Sequence, residues 1–219
     1  MTDSSLDDLD LVIKTMAKTI VDNADYFAQL DSIVGDGDFG YSLRNGWEVV
    51  QADYDSWDRP NAGAVLKKIG LTLSSKVGGV SGPMWGTAFL RAGVTAGDQE
   101  LTPDLVIAML RAAIEGVMAR GGASLGDKTL LDALSPATDS LEASFKDPAT
   151  AQDHGVAAVQ QAADVAVKAA EDTMGMLAMR GRAAYTGERS RDSVDAGATA
   201  IGVILQAVAA AWAEKYGQA

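Results

Sequence analysis

Apolar residues return every three or four positions along most of this chain, and strict alternation is scarce, so the pattern predicts helices rather than strands. The clearest case follows Thr102-Pro103, an N-cap residue with proline at the first helical position. Beyond it Leu105, Ala108, Met109, Ala112, Ala113, Gly116 and Val117 share one face, and Asp104, Arg111 and Glu115 the other. The same reading places further helices near 6–28, 41–54, 61–76, 83–96, 129–144, 150–177 and 197–215, eight in all. Ser5 and Asp8 resemble a capping box on the first. Small residues from Ala149 to Ala170 suit close helix packing, and Met174, Met176 and Met179 are expected in the core. No repeat or long linker divides the pattern. A single all-α domain over 1–219 is expected.

Glycine sits mainly at the joints between these helices: Gly35–Gly40, Gly78–Gly86, Gly121–Gly126 and Gly181–Gly197. Each joint also carries polar residues, which is more than simple turns require if the four meet in space. The most informative is Leu30-Asp31-Ser32-Ile33-Val34-Gly35-Asp36-Gly37-Asp38-Phe39-Gly40. Carboxylates brought within ~4 Å repel by about 1 kcal/mol in water and about 4 kcal/mol at an effective dielectric of 20. A cation or a raised pKa would relieve that repulsion, and Mg²⁺, which takes oxygen ligands and bridges carboxylates to phosphates, fits. An Asp-rich turn capping the next helix is the other reading of the same residues.

Three look-alikes fail. Gly35-x-Gly37-x-x-Gly40 fits the dinucleotide fingerprint literally, but a helix precedes it where that motif needs a strand. No Glu stands at the twelfth position of an EF-hand counted from Asp31 or Asp36. Asp127 intervenes between Gly126 and Lys128, which breaks the P-loop spacing. Asp127 is instead a candidate N-cap for the helix that follows. Val77-Gly78-Gly79-Val80-Ser81-Gly82-Pro83 leads into a helix whose N-terminus, with the Ser81 hydroxyl, suits an anion. Arg182 and Arg189 lie in the last joint, where an arginine over phosphates would meet transition-state charge.

Composition narrows the partners. The 219 residues are 47% hydrophobic and 22% charged, a globular balance, with a formal net charge of −12. So acidic a surface repels nucleic acid and anionic membranes. Any phosphorylated ligand must be met locally, by a cation, helix N-termini or arginines. There is no cysteine, so disulfides and thiolate metal sites are excluded, and a single histidine, His154, leaves no His-rich zinc site. No apolar run is expected to span a bilayer, the acidic N-terminus is unlike a secretory signal, and a cytoplasmic chain is expected.

The order Leu30-Asp31…Gly35-Asp36-Gly37-Asp38, Ser74-Ser75-Lys76-Val77-Gly78-Gly79-Val80-Ser81-Gly82-Pro83, Gly126-Asp127-Lys128-Thr129 and Gly181-Arg182-Ala183-Ala184-Tyr185-Thr186-Gly187-Glu188-Arg189 resembles the L subunit of dihydroxyacetone kinases over nearly the whole chain. The resemblance implies an eight-helix antiparallel barrel with ATP or ADP and two Mg²⁺ ions at one end. It implies Asp31, Asp36 and Asp38 as metal ligands, and catalytic roles for them and for Arg182. It places nucleotide contacts at Phe39, Gly40, Tyr41, Ser42, Gly79, Val80, Ser81, Gly121, Leu130, Arg182, Asp195, Ala196 and Gly197. A separate K subunit would hold the ketose covalently, and a phosphoenolpyruvate-linked phosphocarrier is a possible phosphate donor. A homodimer is left open. Phe39 stands where many such subunits carry His, and Ser42 where relatives often have Asn. A regulatory ADP-binding module that docks a partner without turnover is the second reading.

Overall fold

The computed structural model describes residues 4–147, 150 and 154–217, without the side chains of Ser4 and Ser5. Among the described residues nine α-helices follow one another: α1 Ser4–Asp22, α2 Ala24–Ser32, α3 Phe39–Asp53, α4 Ala62–Lys76, α5 Ser81–Ala96, α6 Pro103–Gly121, α7 Leu131–Phe145, α8 Val156–Glu171 and α9 Ala196–Tyr216. Short 3₁₀ segments occupy Tyr54–Ser56 and Arg182–Asp192, and no strand occurs among the described residues. Thr102 caps α6 as expected, its hydroxyl accepting from Leu105 N at 3.2 Å. Asn61 caps α4 through its carbonyl oxygen and Ala64 N, at 2.8 Å.

Eight of the helices pack as a closed ring in the order α1, α3, α4, α5, α6, α7, α8, α9 and back to α1. The α1–α9 seam is antiparallel: Asp8, at the start of α1, accepts from Lys215 and Tyr216 at the end of α9. The interior holds Ile13, Ile20, Leu43, Trp47, Val50, Tyr54, Val65, Ile69 and Leu73 as one buried cluster. The barrel expected from the resemblance is therefore present. Helix α2 stands outside the ring and packs on α3 and α9.

Several local expectations are corrected. The helix expected over 6–28 breaks at Asn23, where φ is −103° and ψ 10°. The Asn23 side-chain amide donates to Thr19 O at 2.8 Å, the local competition for backbone that disfavours Asn inside helices. The capping box on Ser5 lies outside the described side chains, and the Asp8 carboxylate is engaged by α9. Of the expected 150–177 helix, 156–171 is α8; residues 148–149 and 151–153 lie outside the described set. Met174 and Met179 are about half exposed rather than in the core. Helix α9 is long and apolar enough to cross a membrane by length and composition, contrary to the expectation that no run is. In the barrel it is one stave, with Ile201, Ile204 and Val208 turned inward.

Candidate functional site

In an antiparallel ring alternate connections fall at the same end. The segments 33–38, 77–80, 122–130 and 172–195 thus share one rim, and 54–61 and 97–102 the other. Contacts tie the four together. A methyl group on Gly78 would stand 3.0 Å from Ser42 Oγ, and one on Gly197 3.3 Å from Leu130 Cβ. Arg182 crosses the mouth to Asp36 and Asp38, at 2.7 and 3.1 Å. The four glycine joints converge.

The carboxylates reach this rim from different supports. Asp31 lies in the last turn of α2, where Gly35 N folds back onto its carbonyl at 2.6 Å. Gly37 turns the chain with φ +74°, a conformation that costs other residues, and delivers Asp38 to the start of α3. Side-chain oxygens of Asp31, Asp36 and Asp38 all lie within 4.8 Å of one another. Burial pushes the Asp31 carboxyl upward, and the charges on Asp36 and Asp38 push it further, while backbone N–H groups of Phe39 and Gly37 pull it down. Asp38 occupies the N-cap position of α3 but makes no side-chain capping bond, and its carboxylate meets Arg182 instead. Asp31 alone reaches a backbone N–H of α3, that of Phe39, so helix capping does not account for Asp36 or Asp38. Three carboxylate oxygens gathered this closely are the hard, anionic donor set that Mg²⁺ takes.

The other expected contacts divide. Val80 and Tyr41 are exposed at the rim, Ser42 and Ser81 are partly exposed, and Gly79 and Gly121 are open to solvent. Leu130 backs onto Gly197. Gly40 faces α2, not the mouth: a Cβ there would come within 1.9 Å of Ala24 O. The Phe39 ring also turns inward, 6.4 Å between centroids from Phe27, so only its backbone N–H attends the site, 3.4 Å from Asp31 Oδ2. Asp195 caps α9 by accepting from Ala198 N at 2.7 Å. Burial raises its pKa to about 7; Asp132 adds to the rise, while the backbone N–H of Ala198, Lys128 and the backbone N–H of Gly197 oppose it. Ala196 is buried just behind it.

Asp127 does not cap α7, which starts at Leu131; it accepts from Ser124 N and Arg180 Nε, both at 2.8 Å. Asp132 takes the capping role nearby, receiving Thr129 N at 2.7 Å and Gly126 N at 2.5 Å. Neither Asp132 nor the buried Lys128 is a candidate by sequence; for Lys128, no spacing rule marks a side chain that bonds backbone 48 to 65 residues away. Two grooves lie toward the other rim. One of about 280 Å³ lies beside Lys14 and Tyr54, and one of about 250 Å³ beside Glu142 and Phe145. Neither gathers three carboxylates, so the chemistry of the glycine-loop rim marks the site.

Residues 33–210 match the DAK2 domain family. The chain is 37% identical over 189 residues to the ADP-binding subunit DhaL of the PEP-dependent dihydroxyacetone kinase of Escherichia coli K12, covering 86% of this chain and 88% of that one. It is 32% identical to the ADP-binding subunit DhaL of the PTS-dependent kinase of Lactococcus lactis, with coverages of 86% and 90%. An L-erythrulose 1-kinase of Mycolicibacterium smegmatis is 34% identical over 201 residues, 90% of this chain and 34% of that protein. Among solved structures, the dihydroxyacetone kinase of C. freundii superposes with a TM-score of 0.72 at 26% identity, over 91% of this chain. Its complex with AMP-PNP and Mg²⁺ gives 0.69 at 25% identity. This chain spans about a third of that kinase, 33% of its length.

Proposed function

This chain belongs to the DAK2-domain family, with the ADP-binding subunits of dihydroxyacetone kinases, and on that premise we propose that it is the nucleotide- and Mg²⁺-binding subunit of a short-chain ketose kinase. Asp31, Asp36 and Asp38 would hold the metal, which would neutralise charge on the transferred group. The observation that carries the reading is the triad itself: three carboxylates within 4.8 Å, with Arg182 lying across Asp36 and Asp38.

Arg182 offers a planar fork of donors at the mouth, suited to phosphate oxygens as well as to carboxylates. With Asp36 and Asp38 committed to a divalent cation, its guanidinium is free to turn to the terminal phosphoryl group and stabilise charge there. Ser81 and the backbone N–H groups at the start of α5 offer further phosphate donors, and Leu130 with the Asp195–Gly197 turn a wall for the nucleotide. The acceptor hydroxyl, of dihydroxyacetone or a ketose such as erythrulose, is presented by a separate K subunit docked at the open rim. The nucleotide is supplied as ATP or recharged in place by a phosphocarrier.

The test is a thermal-shift titration of the chain with ADP. Mg²⁺ plus ADP is expected to raise the melting temperature, by the linkage of binding to folding, and EDTA to remove the rise. Asp36→Ala should abolish it; a shift that survives that substitution sinks the ligand assignment. Phosphoryl transfer to dihydroxyacetone with a cognate K subunit then separates a kinase subunit from an ADP-binding regulator, which would bind tightly and transfer nothing.

A further inference from the structure

Between α8 and α9 the chain runs out and back as an arm, 172–195, which carries Arg182 and has almost no apolar core of its own. Ala178 is buried, but Met174, Met179 and Tyr185 are exposed. One side chain from the facing loop joins both limbs of the arm. The Lys128 ammonium donates to Met176 O at 3.3 Å on the outgoing limb, and to Ser190 O and Ser193 O, the latter at 2.6 Å, on the returning limb. Around this hub the limbs join each other: Ala178 N donates to Ser190 Oγ at 3.0 Å, and Asp195 N to Thr173 Oγ1 at 2.8 Å. Met179 N reaches Asp127 O, beside Lys128, at 3.0 Å. Arg182 follows three residues later.

Two features mark Lys128 as more than filler. Only 3% of it is exposed, although lysine is among the residues least often buried. Its backbone also sits at φ +61°, a left-handed conformation that β-carbon-bearing residues hold only when their surroundings impose it. Three carbonyl acceptors satisfy all three ammonium donors. Burial pulls the lysine pKa down, and the charges of Asp195 and Asp192 oppose that pull.

We propose that Lys128 is a positioning residue for phosphoryl transfer: its buried ammonium clamps both limbs of the 172–195 arm and so aims Arg182 across the mouth at the aspartate end of the site. The inference rests on the role given to Arg182 above and adds the element that makes that role possible. A fork that must meet a transferring phosphoryl group works only if its support is fixed before the substrate arrives, since small misplacements cost large factors in rate.

The first measurement is amide exchange on the unliganded wild-type chain, which requires no variant to fold. The amides of Ala178, Met179 and Asp195 should be protected well beyond those of the exposed tip around Tyr185. Exchange at free-coil rates across the whole arm overturns the clamp. In Lys128→Met, with helical content retained, those amides should lose protection and kcat with a cognate K subunit should fall roughly 10-fold or more, with KM for nucleotide changing less. Lys128→Arg, which keeps a cationic donor, should recover part of the rate. The double variant with Arg182→Gln should be no slower than Arg182→Gln alone to within about twofold, because one residue acts through the other. Additive losses mean that Lys128 serves stability only, and the proposal falls. If Arg182→Gln leaves transfer untouched, the role of Arg182 is what fails, while the exchange data still judge the clamp.

Discussion

With its pKa pushed up by burial, Asp195 is about half protonated at neutral pH, where an ordinary aspartate is ionised. Its pKa moves from 3.8 to about 7 because burial outweighs the helix-capping N–H of Ala198. Between those two values the folded chain binds more protons than the unfolded one, so this group makes stability fall as pH rises from about 4 to about 7. The cost is fully present above pH 7 and disappears below pH 4. Asn can cap a helix as well as Asp, without the charge. Asp195→Asn should therefore melt higher than wild type at pH 8, by about 2–4 °C for each kcal/mol of relieved burial, and the two should converge toward pH 4. Melting curves at matched ionic strength check this, and a gap that widens on acidification contradicts it. The three clustered aspartates are readable from sequence because their chemistry lies in local spacing. Asp195 and Lys128 were not assigned these states, since burial is set by residues far along the chain.

The elements show where periodicity suffices and where it stops. Helices α4, α5 and α6 fall close to their expected bounds, because caps such as Asn61 and Thr102 act within one turn. The first helix was misread at one residue, Asn23, and the consequence is large: the break creates α2, which carries Asp31 to the rim. Helix α2 also depends on Gly40, since a β-carbon there would press on Ala24 O and Ala28 N, backbone atoms that cannot swing aside. Gly40→Ala should lower stability by about 2 kcal/mol or more, read as a shifted urea midpoint at constant slope, and should weaken Mg²⁺ binding as α2 moves. An unchanged midpoint would show that the α2–α3 contact is looser than described. Periodicity also put Met174 and Met179 in a core, although the arm they lie on has none.

At the scale of the molecule, the ring decides what meets. Closing eight antiparallel staves puts alternate connections at one rim, and Asp8 fastens the seam between the first and last. A ligand spanning that rim should slow amide exchange in 33–38, 77–80, 122–130 and 172–195 together, with 54–61 and 97–102 unchanged. Exchange with and without Mg²⁺–ADP tests this, and protection confined to one loop would mean that the four do not form one site. With a net charge of −12, any phosphate at this end has to be met by local positive charge, from Arg182, the start of α5 and the proposed cation.

The sequence by itself determined the helical class, most helix bounds, the four glycine joints and the aspartates that repel one another unless a cation intervenes. These follow from interactions between residues a few positions apart. Tertiary packing decides that the joints share a rim, that Arg182 spans 144 residues to Asp38, that Phe39 and Gly40 pack against α2, and that Lys128 is buried under the arm. Those outcomes depend on which faces the closed barrel desolvates, and no local spacing records that.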